Sequence, residues 1–454
     1  MTEAKQARPE FIYEAYFIKA NEMMEDPAAK PFPEDRALIY TRFAGFADQE
    51  YSRLLQLSDL EQRHLVQEQL AVDLTEADLL PSSSRKGSAA PSARRSQSTQ
   101  LGQVDGQIAF KEFDKIKRKY LQNAIIMYAR SMQFSDKYDD SIHRMCALWL
   151  ENSSDDILND GIRHHIGKIP TWKFAFLASQ LTARLDAEDV KSKFQPTLDA
   201  LLKNLCEDHP FHIMYQVITL ARPVQMSTKV HNSARQGKIP RGVNGRELAA
   251  SNLLDQIKGI ARRTAQVSDM EEFATAAIEW CDYPMTKSRK EFPVPPHCRI
   301  AKLRDLKIPV PTQALPFDKS GDYSPSNQGG PAFIQSYEQK FTLAGGLHVP
   351  KIMLCLGHNG KHYKQLVSRF AWCPGQCLQS SPQFKGNDDL RQDSVMEQVF
   401  TLVNTLLQRD EATAKRELRF KTYIVLPLAN ETGIIEFVPN SIGIGEWLNA
   451  AHTR

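Results

Sequence analysis

Apolar residues recur at helical spacing through most of the first 285 residues. Four groups follow the i, i+3, i+4, i+7 pattern that places side chains on one helix face. They are Leu121, Ala124, Ile125 and Tyr128; Ile142, Met145, Cys146 and Trp149; Phe174, Leu177, Ala178 and Leu181; and Leu198, Leu201, Leu202 and Leu205. Short breaks, several with proline, separate these groups. We therefore predict an α-solenoid of stacked helix pairs over residues 1–285.

Two polar segments interrupt this helical pattern. Pro81–Gln103 is rich in Ser, Ala, Arg and Gln, and Met226–Gly245 carries several basic residues with little apolar bulk. Segments of this kind bury too little apolar surface to offset their ordering entropy. We predict disordered loops over residues 80–105 and 226–245.

The pattern changes from helix to strand after a proline-rich stretch. Six prolines fall between Pro293 and Pro316, which predicts a linker over residues 286–332. Period-two alternation and the turn dipeptide Asn359-Gly360 then predict an antiparallel sheet with one helix over residues 333–438. The predicted strands are Gln339–Leu343, Lys351–Leu356, His362–Val367, Leu418–Leu426 and Ile434–Val438, with a turn at Glu431–Gly433 and the helix around Met396–Val403.

The composition indicates a globular protein but does not indicate a binding partner. Hydrophobic residues make up 42% and charged residues 24% of the chain, which is typical of a globular protein. The net charge of +3 favours no nucleic-acid surface. Seven cysteines without a framework spacing fit a reducing compartment, and Cys373 and Cys377 lack the second pair that a zinc site needs. No membrane span or secretory signal is expected.

The most informative run for chemistry is Phe384–Asp393. A lysine near the end of a strand, followed by acids that open a helix, can neutralise phosphate oxygens while a carboxylate holds the lysine stem. The same residues would also form an ordinary surface ion pair or a helix N-terminus that prefers carboxylates. The residues alone leave both interpretations open.

Sequence motifs favour the first interpretation. Lys385–Asp393 reads Lys-Gly-Asn-Asp-Asp-Leu-Arg-Gln-Asp and resembles the signature of the phosphatidylinositol-kinase-related protein kinases. Leu343–Ile352 resembles the phosphate-facing loop of the ATM branch, and Val399–Arg409 resembles its helix αC. Upstream, Leu148–Asn152 and Lys168–Phe174 resemble its helical FAT domain. The chain is thus similar to the ATM branch, or its fungal telomere-maintenance counterpart, and the strand order is that of a kinase N-terminal lobe.

The resemblance implies a set of ATP-binding residues. Lys385 would bind the phosphates, and Asp388 and Asp393 would position it by charge pairing. Backbone groups of Glu436 and Val438 would hydrogen-bond the adenine edge. The complete implied set is Lys385, Asp388, Asp393, Glu436, Phe437, Val438, Gly345, Gly346 and Pro350.

The remaining residues of that set have a different implied role, which is to shape the pocket. Phe437 would help to wall the adenine pocket. Gly345, Gly346 and Pro350 belong to the loop that would cover the phosphates. With only two glycines, this loop is a weak phosphate motif without the family resemblance.

The resemblance also implies a cellular role. Such a kinase would use ATP and Mg²⁺ to phosphorylate Ser or Thr followed by Gln, in the DNA-damage checkpoint and telomere maintenance. It would act in the nucleus at chromosomes and telomeres, as a homodimer recruited by a DNA-break-sensing complex, touching DNA only indirectly and no membrane. Ser96-Gln97 and Thr99-Gln100 are candidate autophosphorylation sites.

Two departures from the family pattern set limits on this expectation. The catalytic loop and the Asp-Phe-Gly motif of the family do not occur, so no catalytic residue is assigned, the metal ligands are expected outside this chain, and the chain alone is expected to be inactive. Residues 439–454 would be the exit of the hinge and the start of a C-lobe, so we expect a fragment or an early end of the gene model. Residues 368–384 interrupt the family motif, and we hypothesise a retained intron there.

Two other functions stay open at this level. The chain could be a non-catalytic helical scaffold with a degenerate kinase remnant, which the missing motifs and the insertion favour. It could also be a lipid kinase, because lipid kinases share the Asp-Leu-Arg-Gln-Asp run. The helical resemblance upstream argues against the second.

Overall fold

The computed structural model describes most of the chain, with gaps. The described residues are 8–26, 31–77, 93–230, 244–284, 291–325, 330–344, 350–369, 389–429, 432–442 and 444–452. They belong to two compact units, which comprise residues 1–173 with 192–197, and residues 174–191 with 198–454. This division does not coincide with the boundary that we predicted at residue 285.

The first unit is helical. Its elements are α1 (Pro9–Ile12), a π-helical turn (Tyr13–Ile18), α2 (Lys19–Glu25), α3 (Pro33–Ala77), α4 (Ala93–Phe134), α5 (Ser141–Glu151) and α6 (Asp156–Ile166). Helix α4 packs against α3, α5 and α6. The predicted faces form the core: Ala124 and Ile125 are fully buried, as is Trp149, whose indole N–H donates to Asn159 Oδ1 at 2.8 Å.

The second unit contains further helices and all the described strands. A 3₁₀ helix (Thr171–Leu177) and α8 (Phe194–Asp208) begin in the first unit and continue in the second. The others are α7 (Ala178–Thr182), α9 (Pro210–Val230), α10 (Gly245–Lys258), α11 (Ala261–Asp282), a 3₁₀ helix (Arg299–Lys302), α12 (Leu390–Arg409), α13 (Glu411–Lys415) and α14 (Ile444–His452). The predicted apolar face of α8 is buried at Leu198, Leu202 and Leu205.

The strands form one antiparallel sheet. They are β1 (Glu291–Pro293), β2 (Ile334–Tyr337), β3 (Lys340–Leu343), β4 (Lys351–Gly357), β5 (His362–Arg369), β6 (Val425–Ala429) and β7 (Thr432–Glu436). The order is β1-β3-β4-β5-β7-β6, and β2 pairs with β4. Helices α9 and α11 pack on this sheet, and alternate residues of β4, including Lys351, Met353 and Cys355, are buried. This alternation is the strand period that places one face against a core.

The predicted fold class is confirmed, since helices precede an antiparallel sheet that carries one long helix between β5 and β6. None of the helices in the described ranges combines the length and apolar character needed to cross a membrane.

The proline-rich stretch is not a free linker. Its β1 pairs with β3, and Pro309 bridges to Phe333. Four apolar residues between the prolines, Ile300, Leu303, Ile308 and Val310, are buried. The described part of this stretch contains no α-helix, only the short 3₁₀ helix Arg299–Lys302, and its apolar side chains bury enough surface to fold the segment onto the sheet.

Both predicted disordered loops are shorter in the structure. Helix α4 begins at Ala93, inside the first predicted loop, and α9 extends to Val230 in the second. A helix held by packing further along the chain can extend at the low cost of propagation, and Ala, Arg and Gln are good helix formers. The remainder of these predictions, over residues 80–92 and 231–243, lies outside the described residues.

The predicted strand Leu418–Leu426 is wrong in its bounds. Residues 418–424 form no strand, and a side chain of helix α12 bonds the backbone of Phe420: Asn404 Nδ2 donates to the Phe420 carbonyl at 3.0 Å, and the Phe420 N–H donates to Asn404 Oδ1 at 2.7 Å. The ring of Phe420 also stacks on Phe400, with centroids 4.8 Å apart. Side-chain amides thus replace the ladder that the alternation predicted.

The predicted turn at Glu431–Gly433 is also wrong where the structure describes it. Thr432 and Gly433 belong to β7, and Gly433 pairs with Ser368. A Cβ at Gly433 would collide with the Leu426 carbonyl oxygen and lie 2.7 Å from Leu390 Cδ1. Glycine therefore allows a close approach of β6, β7 and α12 rather than a turn. The pairing also shows that the first residues of the predicted insertion, Ser368 and Arg369, extend β5.

Candidate nucleotide site

The structure describes five of the nine predicted site residues. Pro350, Asp393, Glu436, Phe437 and Val438 are described, whereas Lys385, Asp388, Gly345 and Gly346 lie outside the described residues. Most of the 368–384 segment, with Cys373 and Cys377, also lies outside them. The geometry below concerns the elements that flank these positions.

The predicted phosphate-facing loop is closed at its base. The Ala344 N–H donates to the Pro350 carbonyl at 2.8 Å, which continues the pairing of β3 with β4. The next residue, Lys351, is buried, and its Nζ donates to the carbonyls of Trp280 at 2.7 Å and Cys281 at 2.9 Å. The end of the loop is therefore fixed to the C-terminus of α11, where a cation also complements the helix dipole.

Helix α12 begins inside the lysine-acid run, at Leu390. Asp389 is its N-cap, because its carboxylate accepts the Arg391 N–H at 3.0 Å. The Arg391 guanidinium folds back onto the same carboxylate at 2.5 Å and lowers the pKa of Asp389. Leu390 is fully buried beside Gly433. The start of α12 is thus held in place by a cap, an ion pair and a packed side chain.

A carboxylate on α12 holds the backbone of Tyr423. Glu397 Oε2 accepts the Tyr423 N–H at 3.1 Å. Burial, and then the negative charges of Glu397 and Asp393, raise the pKa of the Tyr423 hydroxyl. The segment before β6 is therefore tied to α12 at Tyr423.

The end of β7 forms the segment that we predicted to contact adenine, residues 436–438, called the hinge below. The Glu436 N–H donates to the Ile424 carbonyl at 2.8 Å, and the Phe437 N–H donates to the Lys364 carbonyl at 3.1 Å. The Val438 carbonyl accepts from Ser441 Oγ at 2.8 Å. Because the Glu436 N–H is engaged, the backbone group of Glu436 that can serve a ligand is its carbonyl.

Phe437 is half-buried, and a cation lies over its ring. Lys364 Nζ lies 3.6 Å from the ring centroid, so Lys364 contacts Phe437 through both its carbonyl and its ammonium. A cation on one face is a favourable contact and restricts the orientation of the ring. A flat aromatic side chain beside the available Glu436 carbonyl suits a purine base.

The described residues offer no metal centre. Among them, no group of three or more His, Cys, Asp or Glu side chains could hold an ion. Magnesium and its ligands stay a prediction that the family resemblance implies.

Sequence reasoning missed several residues around this site. Lys351 lies inside the quoted loop motif, but nothing in the pattern shows that it reaches α11. Tyr423 lies inside the predicted strand Leu418–Leu426, without an assigned role. The sequence pattern did not indicate a role for Lys364 or for the Glu436 side chain, because their contacts depend on strand register.

The fold and the site geometry together fit one class: a helical segment followed by a lobe of the phosphatidylinositol-kinase type. Residues 379–452 match the family described as phosphatidylinositol 3- and 4-kinase. This match spans the lysine-acid run, helix α12 and the hinge.

Individual relatives are more specific. The chain is 30% identical over 455 residues to the serine/threonine-protein kinase TEL1 of Cryptococcus neoformans, a match that covers 99% of this chain and 14% of the relative. It is 33% identical over 365 residues to the serine-protein kinase ATM of Sus scrofa, covering 76% of this chain and 11% of the relative. The chain thus spans about a seventh of the length of the curated relatives it matches.

Solved structures agree with these relatives. A structure of the FAT and kinase domain of CtTel1 matches with a TM-score of 0.77 and 26% identity, covering 99% of this chain and 28% of that one. The resemblance drawn from the sequence is confirmed. The chain is a homologue of the Tel1 and ATM kinases in both its helical part and its kinase-type lobe.

Proposed function

We propose that the protein is an ATP-dependent serine/threonine protein kinase. The observation that carries this proposal is similarity over nearly the whole chain to proteins named serine/threonine kinases. The hinge adds support, because it offers a half-buried aromatic ring and an uncommitted carbonyl at a strand end, as a purine pocket requires.

Within this proposal, each residue has a defined task. Lys385 neutralises the phosphates, and Asp388 holds its stem, just before the fixed N-terminus of α12. Asp393 is the second carboxylate that positions Lys385 by charge pairing. Glu436, Phe437 and Val438 bind the adenine, and magnesium supplies charge stabilisation to the phosphates when it is bound.

The cellular proposal follows the family resemblance drawn from the sequence. We propose phosphorylation of Ser or Thr followed by Gln, a role in the DNA-damage checkpoint and telomere maintenance, and a nuclear location. Homodimer formation is supported by a matching structure, titled a complete CtTel1 dimer with C2 symmetry. A DNA-break-sensing complex remains the proposed recruiting partner.

A direct assay tests the reaction. The gene product that carries this chain, purified from its own cells, is incubated with Mg-ATP and a peptide containing Ser-Gln. We expect phosphate on that serine, much less on a matched Ser-Ala peptide, and none from the Lys385→Arg variant. Equal phosphorylation of both peptides would reject the Gln preference, and no phosphorylation in any condition would favour the scaffold.

A lipid kinase is the second candidate, because the matching family is named for phosphatidylinositol kinases. The relatives that match along the whole chain are named protein kinases, which favours the first candidate. Vesicles containing phosphatidylinositol, offered in the same assay, discriminate the two. Phosphate on the lipid and none on the peptide would support the second candidate.

A further inference from the structure

The pairing of Ile424 with Glu436 departs from an ordinary antiparallel ladder. Strand β7 pairs with β6 in the register Val425↔Ile435, so the next opposite pair is Ile424 and Glu436. The Glu436 N–H donates to the Ile424 carbonyl at 2.8 Å. In such a pair the reverse bond runs from the Ile424 N–H to the Glu436 carbonyl. Here that N–H donates instead to Glu436 Oε2, at 3.0 Å.

The other neighbour of β7 does not engage that carbonyl either. In the register Gln365↔Glu436, the next opposite pair is Lys364 and Phe437, and this pair carries the bond from the Phe437 N–H to the Lys364 carbonyl. Hydrogen-bonded and non-hydrogen-bonded pairs alternate along antiparallel strands. The backbone N–H and carbonyl of Glu436 therefore face β6. On that side, the Glu436 carboxylate accepts the Ile424 N–H that would otherwise bond the carbonyl.

We infer that the Glu436 carboxylate is a positioning group for adenine specificity. By accepting the Ile424 N–H, it keeps that donor satisfied and leaves its own backbone carbonyl to accept from the 6-amino group of adenine. Half-buried carbonyls need a donor, and the adenine amine supplies one. Guanine presents an oxygen at the same position, so a free carbonyl there disfavours it. This inference rests on the proposed function, because it concerns the same nucleotide site.

The test compares two nucleotides that differ in one group. Dissociation constants for ATP and for purine riboside triphosphate, which lacks the 6-amine, are measured by competition with a fluorescent ATP analogue on the purified gene product. We expect the wild type to prefer ATP by about tenfold, the value of one good hydrogen bond. Glu436→Ala should reduce that ratio toward one. Without the carboxylate, the Ile424 N–H donates to the backbone carbonyl of residue 436, which is then no longer available to the 6-amino group.

Two further variants separate this effect from a structural one. Glu436→Gln should retain the preference, since its side-chain oxygen still accepts the Ile424 N–H. Glu338→Ala removes another glutamate of the same unit, which pairs with His362 at 3.0 Å, and should leave the ratio unchanged. A folding defect would weaken both nucleotides together and would not change the ratio.

Each outcome has one meaning. An unchanged ratio in Glu436→Ala, or an equal loss in Glu436→Gln, overturns the inference while the nucleotide site stands. If the wild type binds neither nucleotide, the proposed function fails and the inference fails with it.

Discussion

In the described part of the chain, each compact unit buries a lysine at the C-terminal end of a helix. In the first unit, Lys173 Nζ donates to the Met132 carbonyl at 2.7 Å and the Ser135 carbonyl at 3.2 Å, near the end of α4. It also pairs with Asp136 at 3.0 Å and Asp139 at 2.6 Å. The buried ammonium is therefore surrounded by opposite charge.

The lysine of the second unit is held more weakly. Lys351 donates to two carbonyls at the end of α11 and lies 5.2 Å from the centroid of the Trp280 ring. Carbonyls and a ring compensate a desolvated charge less than carboxylates do, and burial lowers the pKa of Lys351. The comparison teaches that the first lysine mainly stabilises its unit, whereas the second mainly positions the base of the predicted phosphate loop.

The largest expected effect comes from Lys173→Met. This change leaves Asp139 and two helix carbonyls without their donor, and breaking such a buried pair costs about 3 kcal/mol. The thermal unfolding of the purified chain measures it, with the exposed Lys168→Met as control. A melting temperature equal to that of the control would show that the charges around Lys173 contribute nothing.

The next expected effect is a pH dependence that arises from a buried histidine. Burial lowers the pKa of His212 to about 4, from an ordinary 6.5, while its Nε2 lies 3.2 Å from the Leu315 carbonyl and its ring stacks on Phe317. The pKa is depressed, so the stability is complete above pH 6.5 and is lost as the pH falls toward 4. We expect a loss of about 3 kcal/mol over this window.

The slope of the melting temperature against pH checks this prediction. His212→Gln should flatten the slope but not abolish it, because burial also lowers the pKa of His209. Identical slopes in the variant and the wild type would assign the pH dependence to other groups.

Lys351→Met should be milder than the change at Lys173. Two carbonyls lose a donor, but a poorly compensated charge leaves the interior as well, so the net loss is about 1 kcal/mol. The same thermal assay measures it. If this variant loses as much stability as Lys173→Met, the contrast between the two lysines is wrong.

The smallest expected effect concerns an exposed lysine. Lys364→Met removes the cation from the Phe437 ring and should weaken ATP binding by the gene product about threefold, in line with an exposed cation–π contact. Lys364→Arg should retain the affinity. Lys361→Met is the matched control on the adjoining turn, and an equal loss in that control would point to general charge instead of the ring contact.

The sequence predicted the elements with strong patterns and missed those that depend on register. Helical faces such as Leu198–Leu205, and the hairpin at Asn359-Gly360, are local signals, and the structure contains both. The strand predicted at Leu418–Leu426 was largely wrong. The Asn404 side chain on α12 hydrogen-bonds both the N–H and the carbonyl of Phe420, so these groups do not join a strand ladder. Alternation of residue types cannot reveal a partner of that kind.

The candidate site shows the same limit. Family resemblance named the hinge, and the structure adds which of its groups are engaged. The Glu436 carboxylate, and not the Glu436 carbonyl, accepts the Ile424 N–H. This arrangement depends on the register of β6 against β7, which no local pattern encodes. The predictions for Lys385 and Asp388 stay predictions, since these residues lie outside the described ranges.

The most direct measurement of the central claim is labelling of the gene product with an acyl-phosphate derivative of ATP, which transfers its acyl group to a lysine beside the bound phosphates. Mass spectrometry should find the label on Lys385, and excess ATP should prevent it. ATP-sensitive labelling of a different lysine, or no ATP-sensitive labelling at all, would contradict the assignment of this lobe as a nucleotide site.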